Sequence, residues 1–362
     1  MQLTDHLLVQ VLRTPKRLSS LSLSEWDLLI RQARHSDLLA YLDVLVCESG
    51  LGETIPHQVK WHLESARAVA DKHAQSVRWD VENIMQALAD EGIPVVVLKG
   101  AAYVLAGLPN GRGRLFQDID IMVPKAALDR VEHRLFTHGW VSTHLDDYDQ
   151  RYYRTWMHEL PPLQHVKRKT VLDVHHTILP ETAKLHPAPE KLFVAAVPLE
   201  GYPGLSILSP ADMVLHSATH LFHDGELEHG LRDLVDLDVL MRTFGRDESF
   251  WATLAERAVE LDLERPLHYA LRYTRMAFST PIPDRIRMAR PKGRPGAAVA
   301  WLMDALFRRG LAPSHGSCDD AASGLARWVL YVRGHYLRMP LHLLIPHLVR
   351  KAVRKGEPEQ SQ

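Results

Sequence analysis

From residue 1 to about 90, apolar residues recur at the three-and-four spacing of helices. Leu7, Leu8, Val11 and Leu12 share one helical face, and Ser24-Glu25-Trp26-Asp27 opens a further helix with a serine suited to cap it. From Gln58 to about Glu91 a long amphipathic pattern sets Trp61, Leu63, Ala66, Ala70, Val77, Val81, Ile84 and Leu88 on one side. Gly92 ends it, as a glycine just past a helix does.

The period then shortens. Ile93-Pro94-Val95-Val96-Val97-Leu98 is a β-branched run suited to a strand buried on both faces. Gly100 to Leu108 reads as a small helix, Pro109-Asn110-Gly111 as a turn, and Ile119 to Val123 as a second strand. A helix from about Lys125 to Thr137 follows, with Leu128, Val131 and Leu135 inward, and Tyr152 to Ile178 alternates like an antiparallel hairpin ending in Val171-Leu172-Asp173-Val174-His175. Strands mixed with helices between 93 and 180 predict an α+β core. Ser209-Pro210-Ala211-Asp212 starts a second helical part, with helices to about 224 and over 229–243, 249–262 and 264–277. A proline- and arginine-rich break from Pro281 to Gly296 precedes a last helical group. The expected organisation is an N-terminal helical region over 1–90, a core over 91–205, a helical domain over 206–280 and a C-terminal helical extension over 281–362.

Composition narrows the function classes. At 362 residues, with 46% hydrophobic and 24% charged residues, the chain is of ordinary globular make-up. The formal net charge of -1 makes nucleic acid a less favoured partner. The two cysteines, Cys47 and Cys318, build neither a disulfide framework nor a cysteine-rich zinc site. The start Met1-Gln2-Leu3-Thr4-Asp5-His6 lacks a signal-peptide pattern, and no run of about 18 apolar residues predicts a transmembrane segment. A cytoplasmic location is the expectation.

The candidate chemistry centres on Asp118 and Asp120. Two residues apart on a strand, they project from one face with Cα atoms roughly 7 Å apart. Bare, the carboxylates repel, whereas a hard dication between them, Mg²⁺ or alternatively Mn²⁺, relieves this. Asp173, on another apolar strand, is a third acid. Three acids on two neighbouring strands suit a pair of metals about 3.5–4 Å apart acting on a phosphate. The turn Lys99-Gly100 is the other half: Gly100 admits close backbone approach, a following helix start favours an anion, and Lys99 and Arg114 neutralise phosphate charge.

The order of these parts resembles the DNA polymerase β-like nucleotidyltransferase superfamily and, within it, the bacterial family of uncharacterised nucleotidyltransferases. The resemblance rests on Val97-Leu98-Lys99-Gly100, on Arg114-Leu115-Phe116-Gln117-Asp118-Ile119-Asp120-Ile121-Met122-Val123 and on Leu172-Asp173-Val174-His175-His176, and it extends over about 90–240. It implies a polymerase-β-like core, an NTP co-substrate and transfer of its nucleotidyl group to an acceptor hydroxyl with release of pyrophosphate. It further implies metal ligation by Asp118 and Asp120, with Asp173 as ligand or as base. Ala101 stands where the superfamily usually has serine or glycine, so a hydroxyl contact to phosphate is missing. The acceptor, whether small molecule, sugar, peptide or protein, is unspecified.

Two other readings use the same residues: a non-catalytic nucleotide-binding or partner-docking protein, and a metal-dependent phosphohydrolase using His216 or His220. His216, His220 and His223 have helical spacing, but Ser217 stands where a zinc protease needs glutamate, so these histidines are expected to face the core or a carboxylate. His175 shares a strand face with Asp173. Asp233 and Asp236 are expected to brace a helix against Arg232 or a site residue. Arg285, Arg287, Arg290, Lys292 and Arg294 read as a solvated linker, and Val332 to Arg354 as a packing helix with a basic outer face.

Overall fold

β-branched residues build the centre of the molecule. The computed structural model describes residues 2–143, 153–154, 157–223, 225, 227–288 and 293–340. Strand β1, Val95–Val97, is buried at all three positions, as its β-branched run predicts. Each fully buried valine contributes about 1.5–3 kcal/mol over its exposed form. Around it lie β2 (Asp118–Met122), β3 (Trp140–Ser142), β4 (Leu163–His165), β5 (Val171–His175), β6 (Val197–Pro198) and β7 (Leu205–Ile207), in the order β3-β4-β5-β2-β1-β7-β6. β1 runs antiparallel to β2 and parallel to β7, while β2 runs parallel to β5. The expected hairpin is β4 against β5, with Leu163 opposite Leu172. This is a mixed sheet within an α+β fold.

Fourteen helices flank the sheet among the described residues. Ahead of it come α1 (Leu7–Arg13), α2 (Leu23–His35), α3 (Leu39–Glu48) and α4 (His57–Leu88). Ser22, not Ser24, caps α2: its hydroxyl accepts from the Glu25 N–H, and the Glu25 carboxylate accepts from the Ser22 N–H in return. Glutamate at the third helical position selects that serine, a pairing the shorter sequence pattern overlooked. In α4 the residues Leu63, Ala70, Val77, Val81, Ile84 and Leu88 are buried, but Trp61, two positions from Leu63 and so on the opposite face of the helix, is 69% exposed. Gly92 follows at φ 60°, a left-handed residue that turns the chain into β1.

Within the sheet's connections lie α5 (Lys99–Leu105), α6 (Leu128–Thr137) and α7 (Pro189–Ala195). The second helical part holds α8 (Pro210–His223), α9 (Gly230–Phe244), α10 (Glu248–Glu260), α11 (Glu264–Phe278) and α12 (Asp284–Met288), and the last α13 (Ala297–Gly310) and α14 (Ser323–Arg338). The Ser209 hydroxyl accepts from the Asp212 N–H at 3.2 Å, the predicted cap of α8. Phe222, Tyr269, Tyr273 and Phe307 pack with ring centroids 5.1–6.1 Å apart and tie α8, α11 and α13 together. Aromatic pairs of this kind add about 0.5–1.5 kcal/mol each beyond burial. One continuous apolar core runs from Leu3 through the sheet to Leu330. Arg290, Lys292 and the part of the C-terminal basic pattern from 341 onward lie outside the described residues. Among the described residues no helix is long and apolar enough to cross a membrane.

Candidate active site

Strand register brings the three acids together from two stretches of chain. Asp120 lies directly opposite Asp173 across the parallel β2–β5 pair, and Asp118 is two residues before it, so all three share a face of the sheet. Ile119 and Ile121 point the other way and are each 1% exposed, which anchors the strand by apolar burial and fixes that register. β2 begins at Asp118, one residue earlier than the apolar pattern predicts.

Asp118 and Asp120 line a cleft of about 870 Å³ together with Lys99, Gly100 and Arg114. That volume is in the range of small-molecule and cofactor sites. Asp173 is not on the cleft wall. Its Oδ1 is buried with no hydrogen-bond partner among the described residues, and its carboxyl is pushed up to about 7 by burial and by the charges of Asp120 and Glu159. Asp118, which opens to solvent in the cleft, is also raised, by the low-dielectric walls and by Asp120.

Asp120 is the most tightly held of the three. Its Oδ1 accepts from the Lys99 ammonium at 2.9 Å and lies 2.9 Å from His175 Nε2. Despite its burial, these two groups hold its carboxylate well below the ordinary range. In turn, against the desolvation of burial, Asp120 and Asp118 keep the Lys99 ammonium strongly charged. Likewise the bond to Asp120 and the nearby Glu159 raise His175 in spite of its burial. Lys99 itself has φ 47°, a left-handed backbone that an L side chain adopts at a cost. The turn thereby aims its side chain back over β2.

Gly100 is required by close approach. A Cβ there would meet Arg114 Nε at 2.7 Å and Phe116 Cε1 at 2.9 Å. The helix opens at Lys99 and has seven residues, shorter than the sequence predicts. Arg114 spans the same corner: its guanidinium pairs with Asp236 of α9 and lies 5.7 Å from the centre of the Tyr103 ring. Burial opposes its charge, yet Asp236 and Asp233 hold Arg114 above its ordinary value. The brace expected of Asp236 is therefore made to a site residue. Asp233 pairs with Arg232 at 3.1 Å and faces His220 at 3.8 Å.

Several cleft residues carry no sequence signal of their own. His315, Asp319, Arg327, Trp328 and Tyr331, from the C-terminal extension, form a wall of the same cleft. His158 and Glu159 approach His175 from the opposite side, with Glu159 Oε2 3.2 Å from His175 Nδ1. Among the described residues, only His158, Glu159 and His175 bring three metal-ligating side chains within 4.8 Å of one another. The three aspartates are not drawn so close, because Asp120 is turned to Lys99 and His175. Of the α8 histidines, His220 reaches the cleft, while His216 and His223 do not line it.

The donor set nevertheless fits a divalent cation. Asp118, Asp120, Asp173 and Glu159 cluster about Lys99 and His175 and also feel Arg232 and Arg338, and Asp173 keeps an oxygen with no hydrogen-bond partner among the described residues. None of the curated proteins compared with this chain matches it. A family model described as uncharacterised nucleotidyltransferase matches residues 22–279, which take in every strand of the sheet and helices α2 to α11. The chain belongs to this uncharacterised nucleotidyltransferase family.

Proposed function

We propose that the protein moves an NMP group from an NTP to an acceptor hydroxyl and releases pyrophosphate, with Asp118, Asp120 and Asp173 as its acidic centre. The observation that carries this reading is the placement of Asp118 and Asp120 on one strand face, in the cleft bounded by Lys99, Gly100 and Arg114. Asp118 and Asp120, joined by Asp173, are the residues that would hold Mg²⁺ or Mn²⁺. When bound, such an ion supplies charge that offsets the clustered carboxylates and the phosphates.

In this mechanism the acceptor oxygen attacks the α-phosphorus, the bond to the bridging oxygen breaks, and pyrophosphate leaves. Catalysis consists mostly of positioning and charge stabilisation. Lys99 lies on the cleft wall with its ammonium beside Asp120, where a turn of its side chain presents that charge to a phosphate. Arg114, fixed by Asp236, offers a rigid guanidinium edge rather than a mobile charge. A carboxyl titrating near neutrality suits a general base, so Asp173 serves to draw the hydroxyl proton where it does not act as a ligand. Incubation with each α-labelled NTP, Mg²⁺ and cell extract tests the reading. Label on an acceptor with stoichiometric pyrophosphate is expected; release of inorganic phosphate instead would point to hydrolysis.

One observation favours a second reading. Both Asp120 contacts and the Arg114 guanidinium are already engaged within the protein. A non-catalytic nucleotide-binding protein on the same fold would be stabilised by Mg²⁺ and NTP without forming any pyrophosphate.

A further inference from the structure

The segment after the described residues 153–154 runs back along β5. Glu159 and His175 form an antiparallel bridge, the His176 N–H donates to the His158 carbonyl at 2.9 Å, and the Leu160 N–H to that of Val174 at 2.9 Å. This brings His158 and Glu159 over the end of β5. The His158 and His175 rings stack with centroids 5.1 Å apart and planes 28° apart. Glu159 Oε2 lies 3.2 Å from His175 Nδ1 and 4.0 Å from His158 Nε2. His158 Nδ1 is buried with no hydrogen-bond partner among the described residues.

A charged His175 bridging Asp120 and Glu159 explains that histidine but leaves His158 unexplained. A buried imidazole with an orphaned nitrogen is destabilising. We propose that His158, Glu159 and His175 form a zinc site at the end of β5, beside Asp120 and not dependent on the nucleotidyl-transfer reading.

Two imidazole nitrogens and one carboxylate oxygen suit zinc, whereas magnesium selects oxygen donors. Ligands about 2.0–2.2 Å from a tetrahedral ion lie roughly 3.3 Å apart. The Glu159–His175 pair already meets that spacing, and His158 offers a ligand atom within 4.8 Å of both. Burial keeps His158 well below its ordinary value, so its ring is neutral and in the form that ligates. Zinc on His175 Nδ1 leaves the proton on Nε2, where it donates to Asp120 at 2.9 Å. A carboxylate behind a ligating histidine is the usual outer support of such sites.

The test uses the full chain, stripped with a chelator and reloaded with Zn²⁺ or Co²⁺ under excess Mg²⁺. One zinc per chain is expected, with two imidazoles in its X-ray absorption spectrum and a tetrahedral d–d band for the cobalt form. His158→Ala and Glu159→Gln should each weaken zinc binding by tenfold or more, and Asp120→Asn by about 10–100-fold. Asp118→Asn and Asp173→Asn should leave it unchanged. Far-UV circular dichroism checks that each variant is folded, and His158→Gln, closer in shape, replaces the alanine variant if it is not. The proposal is overturned by a chain that retains no zinc, by spectra lacking imidazole, or by zinc kept in His158→Ala but lost in Asp118→Asn. These readouts are indifferent to whether any NTP is turned over.

Discussion

At the scale of single residues, Asp118 and Asp120 are chemically alike and differ in surroundings. Asp118 opens to the cleft, whereas Asp120 is buried between Lys99 and His175. Asp118→Asn is therefore expected to lower turnover by on the order of 100–1000-fold or more while leaving the urea midpoint unchanged. Unaltered pyrophosphate release by that variant would remove the proposed mechanism. Asp120→Asn should cost stability as well as activity, because it strips the counter-charge from a buried ammonium. His223 gives a different prediction. Burial pushes it down to about 3, and neither ring nitrogen has a partner among the described residues. Its folded-state value is below the ordinary 6.5, so the unfolded chain binds the extra proton first. Its contribution to stability is thus fully present above about pH 6.5 and is lost as pH falls toward 3. His223→Leu should move the acid-unfolding midpoint to lower pH and, by removing orphaned polar atoms, add about 1–3 kcal/mol at pH 7. An acid midpoint that does not move would contradict this account.

At the scale of elements, the Arg114–Asp236 pair fastens the approach to β2 onto α9. Its side chains are only 11% and 8% exposed. Removing one charge from such a pair costs about 3–5 kcal/mol, since the other stays buried and unpaired. Arg114→Met and Asp236→Leu should each show a loss of this order in urea unfolding, and the double variant a much smaller one. Additive losses would mean that the pair is not coupled. This contact also marks where sequence reading stops. The Asp118/Asp120 face was legible because a strand's period of two places alternate residues together whatever the rest of the fold does. The apposition of Asp120 and Asp173 needed only two neighbouring strands. By contrast, the engagement of Arg114 with a residue 122 positions away, and of His175 with Glu159, depends on long-range packing that no local pattern encodes. The serine that caps α2 lay between these cases, decided by a partner three residues on.

At the scale of the whole molecule, the matched family stops at residue 279, but the cleft does not. Arg327, Trp328 and Tyr331 of α14 stand on its wall, and Trp328 is 62% exposed there. α14, in the segment that reads in sequence as an appendage, thus reaches the centre that the core supplies. Its seat is a close one: a Cβ on Gly225 would fall 2.8 Å from both Gly334 Cα and the Leu330 carbonyl oxygen, and φ there is 79°. The Arg333 guanidinium adds a hydrogen bond to the Phe222 carbonyl at 2.8 Å, joining α14 to the end of α8. Backbone, not a flexible side-chain tip, opposes the added atom, so Gly225→Ala must push α14 away or strain the turn. The expected result is a lower melting temperature and a raised KM for the substrate that touches α14, with divalent-ion binding at the aspartates unaffected. Trp328→Ala provides the complementary variant, since it deletes a cleft surface without moving the helix. It should raise the same KM by on the order of tenfold, the effect of losing about 1.4 kcal/mol of stacking, and leave the melting temperature within about 1–2 °C of the parent. If both variants bind every substrate as the parent does, α14 only closes the cleft and takes no part in recognition.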